Sequence, residues 1–310
     1  MIVTSGETVM DFFAETTAEG ATVFRPVPGG SLFNVALGAA RLGAPTGYLW
    51  AISDDLFGAP FAALLQEAGV DPRWIARTAR HGTVAFVDNT GPTPAFTLLD
   101  EGSAGRLFDP QEMPPLGPQV SILHTGSYVL ATEPVGSRLE ALIEREAPNR
   151  LISLDINIRP GLIEDAAAYR ARLARLIGRA SIVKASEEDL GWFAPGRSPL
   201  EVAEGWIAGG ASLAVVTLGG DGALAVCREA VAQRPGRRVT VVDTVGAGDT
   251  FMAGLLAGLH HRGLVDRARL DALTLSDIAT LTDNAIAAAA IVCSRRGCAL
   301  PWRHEVAEFA

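Results

Sequence analysis

The chain has 310 residues, of which 48% are hydrophobic, so it can bury a sizeable core in one long domain or two short ones. A formal net charge of −9 argues against a nucleic-acid-binding surface, and the longest apolar run, residues 285–293, is too short to span a bilayer. The N-terminus lacks the basic and apolar regions of a signal peptide, and the three cysteines fit neither a disulfide framework nor a zinc site. We therefore expect a cytoplasmic protein with buried free thiols.

The N-terminal part of the sequence predicts a strand, a helix and a small separate sheet. Residues 2–4 predict a short buried strand. Residues 14–28 are polar and strand-prone, and with strands predicted at 83–87 and 94–99 they would form a small sheet beside the main body. Residues 88–92, Asp-Asn-Thr-Gly-Pro, predict the hairpin turn between the last two strands.

Two places in this part of the sequence are candidates for contact with a ligand. Gly29 and Gly30 precede a helix that is predicted to end at Gly43, and glycines let a ligand approach the backbone closely. Asn34 lies one turn into that helix, where it is either an exposed polar residue or a ligand contact. Asp11 is either a turn residue at a strand end or a carboxylate that accepts hydrogen bonds from ligand hydroxyls.

From residue 119 onward, predicted strands alternate with predicted helices. The strands cover residues 119–123, 151–155, 181–183 and 213–217, and the helices cover residues 133–147 and 163–177 and begin again at Glu187 and Pro199. Such alternation predicts an α/β fold, in which helices cover both faces of a mostly parallel sheet. Ligands of such folds bind at the carboxyl ends of the strands, so the polar residues that follow the strands are candidates for a site.

Three of these strand ends carry polar residues or glycines, each with a plain structural alternative. Residues 155–160, Asp-Ile-Asn-Ile-Arg-Pro, are either a ligand-binding segment, in which Arg159 could stabilise negative charge, or a solvated loop. In residues 184–189, Ser186 and the acidic residues after it also fit an ordinary helix N-terminus. Residues 215–224 are either a ligand-binding glycine turn or a plain hairpin.

The most informative stretch is residues 243–251, Asp-Thr-Val-Gly-Ala-Gly-Asp-Thr-Phe. The β-branched residues 238–242 predict a strand before it, and the leucines after it predict a buried helix face. A Gly-Ala-Gly turn that opens a helix leaves backbone amides free at the positive end of the helix dipole, which favours an anion such as phosphate. Asp249 is then either an N-terminal cap or a base that removes a proton from a substrate hydroxyl.

This stretch resembles the C-terminal signature of the ribokinase-like (PfkB) family of sugar kinases. Residues 29–58 resemble the N-terminal signature of that family, and Gly6-Glu7 followed by Asp11 resembles the opening of fructokinases and 2-keto-3-deoxygluconate kinases. The resemblance covers nearly the whole chain. It implies a ribokinase-like three-layer α/β/α sandwich with a mostly parallel central sheet and a small β lid. The body would comprise residues 1–11, 29–80 and 101–310, and the lid residues 12–28 and 81–100.

The resemblance also implies roles for individual residues. The base would be Asp249, and the transferred phosphoryl group would lie in an anion hole made by Gly246, Ala247 and Gly248, with further charge stabilisation by Arg159. The substrate-binding residues would be Asp11, Gly29, Gly30, Asn34, Asn157, Arg159 and Asp249. The nucleotide-binding residues would be Lys184, Ser186, Thr217, Gly219, Gly222, Gly248 and Asn284.

Two carboxylates are candidates for ion binding by the same resemblance. Asp189 would organise Mg²⁺ through water, although many relatives carry Glu where this chain has the shorter Asp. Asp243 would lie near a monovalent cation such as K⁺.

The resemblance implies an ATP-dependent kinase that phosphorylates a primary hydroxyl of a monosaccharide, with fructose as the first expectation. The alternatives within the family are a 2-keto-3-deoxygluconate kinase, a ribokinase and a nucleoside kinase; a keto acid would need an additional cation, which Arg159 could supply. A non-catalytic sugar or nucleotide sensor on the same fold is more distant, because a sensor does not need Asp249. We expect no nucleic-acid or membrane partner, and either a homodimer through the lid or a monomer with a lid.

Overall fold

The computed structural model describes residues 1–88 and 95–307, which form three sheets flanked by helices. The strands are β1 (Ile2–Ser5), β2 (Val9–Thr16), β3 (Thr22–Gly29), β4 (Thr46–Tyr48), β5 (Trp50–Ser53), β6 (Ile75–Thr78), β7 (Val84–Asp88), β8 (Ala95–Leu99), β9 (Ile122–Gly126), β10 (Leu151–Asp155), β11 (Ile182–Ser186), β12 (Leu213–Thr217), β13 (Ala223–Cys227) and β14 (Val231–Arg234). The helices are α1 (Ser31–Arg41), α2 (Gly58–Glu67), α3 (Val135–Glu146), α4 (Ala166–Ile177), α5 (Glu187–Phe193), α6 (Pro199–Ala208), α7 (Ala247–His261), α8 (Arg267–Asp271) and α9 (Leu275–Cys293).

The largest sheet has eight strands in the order β14-β13-β12-β11-β10-β9-β1-β4. Every neighbouring pair from β4 to β12 is parallel, and β13 and β14 are antiparallel additions at one edge. Strands such as β10 and β13 are buried at every residue, as expected where helices cover both faces of a sheet. The predicted α/β fold with a mostly parallel sheet is therefore confirmed.

The sheet separates two hydrophobic cores, because successive residues of a strand point to opposite faces. Ile2 and Ile122 belong to the core that contains residues of α7 and α9, whereas Val3 and Leu123 belong to the core that contains residues of α3, α4 and α6. One helix layer covers each face, which gives the predicted three layers.

Helix α7 is the central helix of one layer, and its residues 250–259 are all buried, as expected for a helix that is apolar all round. Small residues let its neighbours approach closely. A Cβ atom at Gly38 of α1 would lie 2.7 Å from the Ala253 Cβ atom of α7, and one at Gly254 would lie 3.0 Å from the Ala285 Cα atom of α9. The packing of α1 against α7 fixes the relative position of the N-termini of these two helices.

Helix α9 is, among the described residues, the one helix that is long and apolar enough to cross a membrane by length and composition alone. Its most apolar window is 56% buried, and many of its residues belong to the core shared with α7. A buried core helix meets the same criteria, so this feature is weak evidence for a membrane segment.

A separate four-stranded sheet has the order β3-β2-β7-β8. It is built from the segments for which the sequence predicted a small sheet, so this prediction is confirmed. The hairpin turn predicted at residues 88–92 falls almost entirely outside the described residues. Side chains alternate along β2, so Asp11 and Phe12 point to opposite faces of this sheet.

The strand predicted at residues 238–242 is wrong, because this segment has no strand partner. The amides of Val242 and Asp243 donate instead to the Cys293 carbonyl oxygen at the end of α9, at 2.9 and 3.3 Å. Val241 and Val242 are 62% and 57% exposed. β-Branched residues favour a strand only where a neighbouring strand and a half-buried surface are available. Here β14 already forms that edge of the main sheet.

Candidate active site

The Asp249 carboxylate lies between the first turns of α1 and α7. Its Oδ1 atom accepts a hydrogen bond from the Ser31 hydroxyl at 2.7 Å, and its Oδ2 atom accepts one from the Asn34 side-chain amide at 2.8 Å. Gly246 occupies the N-cap position of α7, and both Asp249 oxygens face α1. The geometry therefore contradicts the alternative that Asp249 is an ordinary N-terminal cap.

The first turn of α7 presents backbone amides beside this carboxylate. Gly246 has a φ of 77°, and a Cβ atom there would lie 2.2 Å from the Cys298 Sγ atom, so the position requires glycine. The Ala247 amide donates to the Thr244 carbonyl oxygen at 3.2 Å, so it would have to share or exchange this acceptor to bind an anion, and Gly248 follows it in the first turn. First-turn amides lack acceptors within the helix and lie at the positive end of its dipole, so this turn suits an anion.

A buried ion pair lies beneath the same turn. Lys184 Nζ is 2.9 Å from Asp155 Oδ2, and both side chains are almost fully buried. Burial by itself lowers the pKa of the Lys184 ammonium group, but the carboxylates of Asp155, Asp189 and Asp249 outweigh burial and hold that pKa above its usual value. A Cβ atom at Gly248 would lie 3.3 Å from Lys184 Nζ, so a positive charge stays close to the amides of the turn.

The segment after β10 joins the Asp249 cluster. Asn157, which has a left-handed φ of 39°, donates its side-chain amide to the Ser31 hydroxyl at 2.9 Å. The exposed Arg159 donates from Nη1 to Asn157 Oδ1 at 2.7 Å. Asn157 is thus linked through Ser31 to the carboxylate that the sequence predicted as the base, and Arg159 is linked to Asn157, which disfavours the solvated-loop alternative.

Contacts within the protein explain why Gly29 and Gly30 carry no side chain. A Cβ atom at Gly29 would lie 2.4 Å from Asp11 Oδ2, and one at Gly30, which has a φ of 111°, would lie 2.3 Å from the Glu7 carbonyl oxygen. Asp11 therefore packs against Gly29, whereas Gly30 packs against the backbone of Glu7. Burial raises the pKa of the Asp11 carboxyl to about 7, so a ligand that brings hydroxyl groups would relieve an unfavourable environment.

Glu7 is a buried residue that the sequence did not single out as a site residue. Its Oε1 atom accepts a hydrogen bond from the Ser31 backbone amide at 3.1 Å, which holds the start of α1. Burial raises the pKa of the Glu7 carboxyl to about 7; Ser127 and Ser31 counteract part of this rise, and nearby Asp249 adds to it. An acidic residue in an otherwise apolar segment was the one signal for it in the sequence.

Asp189 acts as a helix cap and a loop anchor. Its Oδ2 atom accepts bonds from the Ser186 amide and hydroxyl, both at 2.7 Å, and its Oδ1 atom accepts one from the Ile158 amide at 2.6 Å. This geometry favours the helix-terminus alternative for Ser186 and Asp189. Within the described ranges, no group of three or more His, Cys, Asp or Glu side chains could hold a metal. The predicted water-mediated Mg²⁺ contact of Asp189 stays a prediction.

Asp243 links two loops next to the α7 turn. Its Oδ1 atom accepts a hydrogen bond from the Val245 amide, and its Oδ2 atom accepts one from the Gly297 amide, both at 3.0 Å. The carboxylate therefore holds the segment before Gly246 against the turn after α9. Its predicted contact with a monovalent cation stays a prediction.

The predicted nucleotide-binding residues of the other strands are more scattered. Thr217 ends β12, and the left-handed Gly219 faces open space, as a ligand contact requires. A Cβ atom at Gly222 would lie 2.0 Å from the Arg234 carbonyl oxygen, so the hairpin itself requires that glycine. Asn284 is 8% exposed and packs within α9 against α7, and no hydrogen bond among the described residues joins it to the Asp249 cluster.

A cleft of about 900 Å³ lies between the four-stranded sheet and the segments after β9 and β10. Its floor is apolar and includes Phe12, Phe57 and Phe86. The cleft does not include Asp249. It lies on the Phe12 face of the four-stranded sheet, opposite the face that carries Asp11, so it is separate from the Asp249 cluster.

The raised pKa of Glu7 predicts a specific pH dependence of stability. The folded protein holds a proton up to about pH 7 that the unfolded chain releases near pH 4.5, so the Glu7 contribution to the free energy of unfolding falls as the pH rises through that window. Glu7→Gln retains an acceptor for the Ser31 amide but does not titrate. Between pH 5 and pH 8 we expect the free energy of unfolding of the unmodified protein to fall by up to about 3 kcal/mol more than that of Glu7→Gln. Urea unfolding at both pH values measures the difference.

The matched control for this prediction is Glu67→Gln, because Glu67 is exposed at the end of α2. We expect the control to follow the pH dependence of the unmodified protein. If Glu7→Gln follows it as well, burial does not perturb the Glu7 carboxyl as described.

Comparison with known proteins identifies the family. Residues 1–305 match the pfkB family of carbohydrate kinases. The chain is 40% identical over 273 residues to a fructokinase of Rhizobium leguminosarum bv. trifolii, a match that covers 88% of this chain and 84% of that protein.

Two solved structures are similar to this fold over nearly its whole length. The structure of a fructokinase with bound ATP from Xylella fastidiosa has a TM-score of 0.91 at 26% identity and covers 99% of this chain and 97% of that one. The structure of a fructokinase from Vibrio cholerae O395, bound to fructose, ADP and calcium ion, has a TM-score of 0.84 at 25% identity and covers 99% and 98%. The chain therefore belongs to the PfkB family and is a carbohydrate kinase, a phosphotransferase with an alcohol group as acceptor.

Proposed function

We propose that this protein transfers the γ-phosphoryl group of ATP to a primary hydroxyl of a monosaccharide, and that the sugar is fructose. The observation that carries the proposal is the Asp249 carboxylate, which two α1 side chains hold beside the first turn of α7 and close to the Lys184 ammonium group. A base next to an anion site is the arrangement that phosphoryl transfer to an alcohol requires.

In the proposed reaction, the sugar lies over Asp11, Gly30 and Asn34. Asp249 removes the proton of the acceptor hydroxyl as that oxygen forms a bond to the γ-phosphorus atom, the bond to the bridging oxygen breaks, and ADP leaves. The α7 amides of Gly246 to Gly248, with Arg159, stabilise the negative charge of the transferred group. Bound Mg²⁺ would neutralise charge on the nucleotide phosphates.

The relatives support fructose as the acceptor, because the chain is 40% identical over 273 residues to a protein named as a fructokinase.

The remaining features of the proposal come from the relatives. The fructokinase structures with ATP or with fructose and ADP support ATP as the phosphoryl donor here. The structure with calcium ion supports a divalent cation at the nucleotide, which we propose to be Mg²⁺, and Asp243 remains the proposed neighbour of a monovalent cation such as K⁺. We propose that the protein acts in the cytoplasm.

The function is tested by an ADP-release assay with ATP, Mg²⁺ and a panel of acceptors. The panel comprises fructose, glucose, ribose, 2-keto-3-deoxygluconate, adenosine and aminoimidazole riboside. We expect kcat/KM to be highest with fructose. Higher kcat/KM with another acceptor would contradict fructose but retain the kinase mechanism, whereas ATP binding without turnover of any acceptor would favour a sensor.

The base assignment predicts the behaviour of Asp249→Asn. The amide retains the shape of the side chain but cannot accept the proton, so we expect kcat to fall by about 10² to 10⁴ while sugar and ATP binding remain. Steady-state kinetics and calorimetric titration measure the two effects. Asp165→Asn is the matched control, because Asn also caps a helix well at this exposed position, and it should leave kcat unchanged. A near-normal kcat for Asp249→Asn would contradict the assignment.

We propose that the four-stranded sheet acts as a lid and that its apolar face contacts a second copy of the chain. The register of β2, β3, β7 and β8 places Phe24 and Leu99 on the same face as Phe86, and they are 47% and 53% exposed. We expect light scattering to give the mass of a dimer, and Phe24→Asp to shift it towards that of a monomer. A monomer mass for the unmodified protein at every concentration would contradict the dimer.

A further inference from the structure

Ser31 is the first residue of α1, and its hydroxyl lies between Asp249 and the segment after β10. The residue is 8% exposed. Its Oγ atom is 2.7 Å from Asp249 Oδ1 and 2.9 Å from Asn157 Nδ2. One hydroxyl therefore connects the proposed base to a loop that is far away in the sequence.

The direction of every hydrogen bond in this chain of contacts is fixed by chemistry. A guanidinium group only donates, so the atom of Asn157 that faces Arg159 Nη1 at 2.7 Å must be the carbonyl oxygen. The amide nitrogen of Asn157 then faces Ser31 and donates to its oxygen. The Ser31 proton must point to Asp249, because an ionised carboxylate only accepts. The contacts run from Arg159 through Asn157 and Ser31 to Asp249.

Backbone contacts and backbone conformation hold this arrangement in place. The Ser31 amide donates to Glu7 Oε1 at 3.1 Å, which anchors the residue that carries the hydroxyl. Asn157 has a φ of 39°, a left-handed conformation that non-glycine residues rarely adopt, and this conformation aims its amide at Ser31. Ser31 is not a helix cap, since it is already the first helical residue and the N-cap position belongs to Gly30.

We propose that Ser31 is a positioning residue for phosphoryl transfer, which orients the Asp249 carboxylate and couples it to Asn157 and Arg159. This inference rests on the proposed function, in which Asp249 is the base. With one oxygen fixed by Ser31, the carboxylate presents a defined lone-pair direction to the acceptor hydroxyl, and the alignment of base and hydroxyl determines the rate of proton transfer. Without Ser31 the carboxylate keeps its charge and the hydrogen bond from Asn34 to Oδ2, but Oδ1 loses the bond that fixes its direction.

The first test is the kinetics of Ser31→Ala in the full chain, with ATP and the best acceptor from the panel. Loss of a hydrogen bond to a charged group and of orientation should lower kcat by about tenfold. The KM for the sugar should stay within about twofold, because Ser31 contacts the base rather than the acceptor. Ser276→Ala is the matched control, since Ser276 is an exposed serine in the first turn of α9. An unchanged kcat for Ser31→Ala would overturn the inference.

A double-mutant cycle separates positioning from a general structural role. Asn157→Gly removes the side chain and tolerates the left-handed backbone, so it should lower kcat without added strain. In the Ser31→Ala background the same substitution should lower kcat no further, because its route to Asp249 is already lost. If the two single substitutions lower kcat by factors that multiply in the double variant, the coupling is overturned. If Ser31 has a merely structural role, Ser31→Ala would instead lower the unfolding midpoint and preserve kcat at low temperature.

The outcome is distinguishable from failure of the proposed function. Turnover of the unmodified protein is measured first, and its absence across the panel would contradict the kinase proposal itself. If the unmodified protein turns over and Asp249→Asn does not, then kcat of Ser31→Ala reports on Ser31 alone.

Discussion

One carboxylate shared between two helix N-termini organises the site. Asp249 belongs to α7, yet both of its oxygens accept hydrogen bonds from α1. This is possible because α1 lies close against α7, where Gly38 faces Ala253 without a side chain between them. The position of the proposed base is therefore set by close packing of two buried helices, which is more rigid than a loop. The positive ends of both helix dipoles point to the same region, which suits a base and a phosphate group together.

Much of the fold could be predicted from the sequence, because its elements follow from local patterns. The strand at 151–155 and the starts of the helices at Glu187 and Pro199 agree with the structure to the residue. The strand predicted at 119–123 lies three residues later, at Ile122–Gly126, since a buried apolar run does not mark its own ends. Residues 238–242 show the limit of such patterns: their composition favours a strand, but no strand is available to pair with them.

Site residues that belong to a sequence motif could be predicted, whereas site residues that depend on tertiary contacts could not. The turn at 246–248 and Asp249 stand out in the sequence because glycines and an acid interrupt an apolar pattern. Ser31 and Glu7 do not, since a serine at a helix start and an acid near a strand end are common in any fold. Their importance comes from an amide and a carboxylate that only the folded chain brings near them. Asp189 is an intermediate case, because local capping accounts for its Oδ2 atom, whereas its Oδ1 atom accepts a hydrogen bond from the distant Ile158 amide.

Several charged groups of the site are buried, and their burial costs folding free energy. Burial raises the pKa of Glu7 and of Asp11 to about 7, so near neutral pH both carboxyls ionise at a cost to folding. The buried Lys184–Asp155 pair carries its own desolvation cost, which such a pair seldom recovers in full. Buried charged groups that cost folding free energy are expected at functional sites, where a ligand requires them. In the proposed function, acidic acceptors would face the hydroxyls of the sugar on one side, and amides with a buried ammonium group would face the phosphoryl group on the other. The Asp249 carboxylate lies between these two environments, where a proton would leave the sugar as the phosphoryl group arrives.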